Sequence, residues 1–138
     1  MADINVNIGS SLVNIRFRDD ENNIISSCRI NPADVKLAAR FEEMADSISS
    51  IGDHFPENAG INDMVRINDE LEEKICYVLG YDARKDVFGV VSATSIMESG
   101  DMFALLLINT IAEAIKPEVE KRNRAMESAA ARYAARYQ

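Results

Sequence analysis

Few residues in this chain could do chemistry, and their spacing keeps them apart. His54 is the only histidine, so a multi-histidine metal site is excluded by count. It lies between Asp53 and Phe55, in a stretch with Pro56 and Gly60 that reads as a loop. No serine stands in a Gly-x-Ser-x-Gly elbow to pair with it. Cys28 and Cys76 are far apart and form no Cys-x-x-Cys pair. Both read as small buried hydrophobes in a reducing compartment.

The acidic run Asp19-Asp20-Glu21 has the look of a calcium loop at its start. Such a loop needs glycine at its sixth position and glutamate at its twelfth, where this chain has Ile24 and Ile30. The run therefore reads as a solvated hairpin tip. Gly80, Gly89 and Gly100 match neither a dinucleotide fingerprint nor a phosphate loop. Glu42/Glu43 and Glu72/Glu73 are adjacent in sequence, so each pair splits across a helix surface instead of converging. The expectation is a protein with no catalytic, cofactor-binding or metal-binding residues, acting by binding.

The elements that would carry such a surface are legible from hydrophobic periodicity. Ile4, Val6 and Ile8 alternate with asparagines, and after Gly9-Ser10 the residues Val13, Ile15 and Phe17 alternate with Asn14, Arg16 and Arg18. Ile24–Ile30 reads as a returning strand. A hairpin alone is marginal in water, so helices must cover it. Asn31-Pro32-Ala33-Asp34 predicts a helix start. Leu37, Phe41, Met44, Ile48 and Ile51 then form an apolar stripe that should end near Gly52.

A second helix is predicted from about Asn62 to Leu79, with Met64, Ile67, Leu71, Ile75 and Val78 on one face and Gly80 as its left-handed terminator. Tyr81–Gly89 reads as a turn with one helical turn, capped by Asp82. Ser95-Ile96-Met97-Glu98 has the capping-box pattern, with Ser99 as the alternative start of the last helix. That helix carries Leu105, Ile108, Ala112, Ile115, Val119, Met126, Ala130 and Tyr133 at near-heptad spacing, and Pro117 should kink or split it.

The expected fold is α+β and a single domain over 1–138. Residues 1–30 form a small antiparallel sheet of two or three strands, 31–115 a helical core, and 116–138 a charged C-terminal helix. Three to five helices are expected in all.

Charge divides along the same line. Residues 1–115 carry nine Lys/Arg against twenty Asp/Glu, a net of −11, and residues 116–138 carry six against three, a net of +3. An acidic body repels nucleic acid and anionic lipid. Met1–Ser10 lacks the basic start and apolar run of a signal peptide. Met102–Ile108, the longest apolar run, falls far short of the ~20 residues that span a bilayer. The expectation is a cytoplasmic protein without nucleic-acid or membrane partners. If residues 116–138 extend from the body, Val119, Met126, Tyr133 and Tyr137 are the apolar positions a protein partner would cover. Folding back onto the domain, self-association into a homo-oligomer, and ordering on a client are the three fates open to that segment.

Three blocks taken in order resemble a known group. They are INPADVKLAARFEEMADSI (Ile30–Ile48), LEEKICYVLGYDARKDVFG (Leu71–Gly89) and FALLLINTIAEAIKPEVEKRNRAMESAAARYAARY (Phe103–Tyr137). Their order and spacing resemble the tail assembly chaperones of long-tailed bacteriophages and prophages of Gram-positive bacteria. The resemblance implies a role without catalysis in the host cytoplasm: binding the tape-measure protein and assisting polymerisation of the major tail protein around it. It also implies that the chain is the shorter of two products where a frameshifted longer form exists. The alternatives are a structural tail or neck component of the virion and a non-phage regulatory binding module.

Overall fold

The computed structural model describes residues 2–7, 12–53, 58 and 60–136. His54, Ile8–Ser10, Pro56 and Tyr137, all singled out above, lie outside them, as does the side chain of Tyr133. The order of elements is β1 (Val13–Arg18), β2 (Ile24–Ile30), α1 (Val35–Asp53), α2 (Ile61–Leu79), α3 (Arg84–Val87) and α4 (Phe103–Arg136). This is an α+β arrangement: a two-stranded antiparallel ribbon followed by helices.

Alternation in β1 and β2 decides which face of the ribbon meets the helices. Ile15 pairs with Cys28 and Val13 with Ile30, and Ile15, Cys28 and Ile30 are buried. The same face holds Ser26, whose hydroxyl is buried without a hydrogen-bond partner. At the tip, the Asp19 carboxylate accepts the backbone N–H groups of Glu21 and Asn23, each at 2.9 Å. The Asn23 bond holds the Asp19 carboxyl below its usual ionisation range. The acidic run therefore closes a turn, with Asn22 at φ 67° completing it.

The alternation at Ile4 and Val6 builds no strand. Both side chains are exposed and residues 2–7 have no regular structure. With Ile4 and Val6 both exposed, the alternation there has no buried face.

Helix α1 starts later than Asn31. Pro32 and Ala33 form a turn in which Asp34 N–H bonds to the Asn31 carbonyl at 2.9 Å. Asp34 is the actual cap, its carboxylate accepting Lys36 N–H at 2.9 Å. Leu37 and Ile48 lie fully inside, with Phe41, Met44 and Ile51 at the core margin. On α2, Leu71, Ile75 and Val78 are completely buried, while Met64 at the other end of the stripe is exposed.

Gly80 ends α2 at φ +83°, its N–H bonded to the carbonyls of Cys76 and Tyr77. The Arg40 guanidinium crosses from α1 beneath this turn and donates to the Val78 carbonyl at 3.0 Å. A Cβ at Gly80 would stand 2.6 Å from Arg40 Nη2. Gly80→Ala is expected to cost about 1–2 kcal/mol, chiefly from the left-handed backbone. Chemical denaturation checks this, and an unchanged midpoint would contradict it.

Helix α4 begins at neither Ser95 nor Ser99. Residues 95–102 fold back on themselves, with Ile96 bridging Met102 and Gly100 at φ +92°. Backbone carbonyls do the capping: Phe103 N–H donates to Ser95 at 2.8 Å and Ala104 N–H to Ala93 at 2.9 Å. From there α4 runs 34 residues without a break, Pro117 included, so of the two expected outcomes, a kink or a split, the split does not occur. Proline there withholds one N–H from the carbonyl of Glu113, a loss confined to one turn. The most buried side of α4 carries Phe103, Leu107, Ile111 and Ile115. That face is rotated from the stripe through Leu105 and Ala112, which are only half-buried.

Candidate interaction surface

Two helices and one loop decide where α4 leaves the core. The loop is fixed through Asn68 on α2, whose Oδ1 accepts both the N–H and the hydroxyl of Thr94 at 3.1 and 3.0 Å. The Asn68 amide also donates to the Glu72 carboxylate. Burial raises the Glu72 carboxyl above its ordinary range, and the bond from Asn68 offsets this only in part. A raised carboxyl stabilises the fold at low pH, and that contribution is lost as pH rises through the folded-state value. Glu72→Gln should therefore melt progressively higher than the parent as pH goes from about 4 to about 7. A constant difference across that range would contradict this.

A second brace joins α1 to α2, where the Tyr77 hydroxyl donates to Glu43 at 2.6 Å. That bond pushes the phenol's ionisation upward, so it keeps its proton.

These braces set α1 and α4 side by side with an apolar groove between them. The groove holds about 330 Å³, walled by Ala38, Phe41, Ala112, Ile115 and Val119, with Glu42, Lys116 and Glu120 at its rim. It continues the core outward along α4. Just beyond it, Arg122 donates to the Ala33 carbonyl at 2.5 Å, the last side-chain hydrogen bond from α4 to the body among the described residues.

From Val119 to Arg136 every described side chain of α4 is exposed. Val119 is 39% and Met126 64% exposed, so Val119 stands at the edge of the groove and Met126 lies clear of it. At ~1.5 Å per residue the fourteen residues after Arg122 extend the helix by about 20 Å. The side chain of Tyr133 and the whole of Tyr137, the other two expected contact positions, lie outside the described residues. The groove was not legible in the sequence, because it is made by α1 and α4 together. Phe41, Ile115 and Val119 each belong to a stripe on one helix, and the gap between the two stripes is set only by packing.

Among the described residues no three His, Cys, Asp or Glu side chains come together as metal ligands. Cys28 is buried, which pushes its thiol up to about 11, and so it is inert at neutral pH. Cys76 is only half-buried, short of the full burial expected. Among the described residues no helix is long and apolar enough to cross a membrane.

No protein family, curated protein or solved structure matches this chain.

Proposed function

We propose that this protein is a non-enzymatic assembly chaperone of a long-tailed phage or prophage, acting in the host cytoplasm on the tape-measure protein and, through it, on tail-tube assembly. The observation that carries the reading is the uncovered length of α4 after Val119, which adjoins the groove between α1 and α4. A long helical client presents apolar residues at three- and four-residue steps, and a groove beside an exposed helix receives such a row. Met126 suits this work, because an unbranched thioether adapts to irregular partners.

Charge supports the same reading. A net charge of −8 keeps copies and their client complexes dispersed. The +3 segment meets the client while the −11 body stays solvated and apart from nucleic acid. The order of the three sequence blocks that resemble tail assembly chaperones is what singles out the client.

The test is co-expression with the tape-measure protein of the same genome. The soluble fraction of that protein should rise several-fold when this chain is present. Equal solubility with and without it would sink the chaperone reading.

A further inference from the structure

The outer face of the β1–β2 ribbon carries a different chemistry, untouched by the reading above. With Ile15 and Cys28 turned to the core, Asn14, Arg16 and Arg29 are sent outward. The register sets Asn14 opposite Arg29 and Arg16 opposite Ser27, so the two arginines are diagonal neighbours on one face. They line a cleft of about 540 Å³, together with Asn14, Ser27, Tyr81 and Asp86.

Two features make this more than a wet sheet face. The ion pairs among the described residues are Arg66–Asp63 and Lys74–Glu70, which leave most cations of the body, Arg18 and Lys36 among them, open to a ligand carboxylate. Arg16 and Arg29 pair with no carboxylate there. The cleft is also built. Tyr81 is fixed as its wall, its hydroxyl accepting the Arg29 backbone N–H at 3.2 Å. The Asn14 side-chain oxygen takes Arg29 Nε at 3.5 Å, which orients that guanidinium over the cleft.

We propose that this cleft binds a short acidic segment of a partner protein. Arg16 and Arg29 receive two of its carboxylates, since the planar guanidinium fork matches a carboxylate two bonds at a time. The Ser27 hydroxyl and the Asn14 amide are on hand for the remaining lone pairs. The rest of the surface selects against other anions. A nucleic acid would run from the cleft over Asp19, Asp20 and Glu21 at the ribbon tip and be repelled. Asp86 on the rim disfavours a phosphate dianion more than a single carboxylate.

The experiment is fluorescence anisotropy of the full chain with a fluorescein-labelled peptide of six glutamates between Gly-Ser ends, at low ionic strength. Binding should be saturable. Arg16→Gln and Arg29→Gln should each weaken it about tenfold or more, with unchanged melting temperatures because both side chains are exposed. Arg66→Gln, on α2, should leave it as it is. The proposal fails if binding does not saturate, or if Arg66→Gln weakens it as much as Arg16→Gln. It also fails if inorganic phosphate or a single-stranded oligonucleotide of equal charge binds more tightly with the same arginine dependence. These results are independent of tape-measure solubility, so this proposal and the chaperone reading can fail separately.

Discussion

Phe103→Ala is expected to remove about 3–5 kcal/mol of folding stability, the largest loss of any single truncation in the chain. Phe103 is the first residue of α4 and is 1% exposed. Phe17 of β1 meets it edge-on at 5.1 Å between ring centres, and Phe88, just past α3, at 6.1 Å. One ring therefore joins the ribbon, the α3 turn and the longest helix, with each neighbour in the edge-to-face geometry that aromatic quadrupoles favour. Alanine leaves a cavity that three separate elements would have to move to fill. A domain of this size is stable by roughly 5–15 kcal/mol, so the variant should fold marginally, with a melting temperature lower by about 10 °C or more. Urea denaturation gives the number. A loss below about 1 kcal/mol would mean that the aromatic contact is peripheral and that α4 is anchored by Leu107 and Ile111 alone.

The importance of Phe103 was not legible in the sequence, and the reason applies more widely. Periodicity reports which residues share a face of one element and says nothing about the element across from it. The stripes of α1 and α2 were readable because each helix has one buried side, and Leu37, Ile48, Leu71 and Ile75 fall on it. The position of Gly80 was readable because a left-handed terminator is a local demand. Helix α4 packs on both the ribbon and the other helices, so its buried side is wider than a heptad stripe, and Leu107 and Ile111 fall outside the spacing that seemed regular. Its start was misread for a related cause. Ser95 and Ser99 have the side chains of caps, yet carbonyls of the preceding loop meet the first amides of the helix. The alternation at Ile4 and Val6 shows the converse case, a period of two in residues 2–7 that builds no strand. Of the candidate surface, Val119 and Met126 stand in the apolar spacing of the sequence, while the groove beside Val119 comes only from the packing of α1 on α4.

The second large effect is functional and separates two properties that a core residue would couple. A chain stopped after Arg122 keeps the Arg122 bond to the Ala33 carbonyl and every buried residue of α4, the last of which is Ile115. What it loses is a length of helix whose described side chains are all exposed. One bond beyond that point, from Arg132 to the Ser128 carbonyl, stays within the lost segment. The unfolding free energy should therefore change by less than about 1 kcal/mol, the size expected of surface changes. Client binding should fall almost completely, because Met126 and the positive charge of the segment go with it. Met126→Glu in the full chain is the milder version, placing a charge where a client's apolar side chain would pack.

The chain stopped after Arg122 and the intact chain, each co-expressed with the proposed tape-measure client, give the most direct measurement: the soluble fraction of that client beside the melting temperature of each form of the chain. The account predicts melting temperatures within a few degrees of each other, with client solubility reduced to its level when the client is expressed alone. A shortened chain that unfolds, or one that keeps the client as soluble as the intact chain does, would contradict the claim that the exposed end of α4 is the working surface.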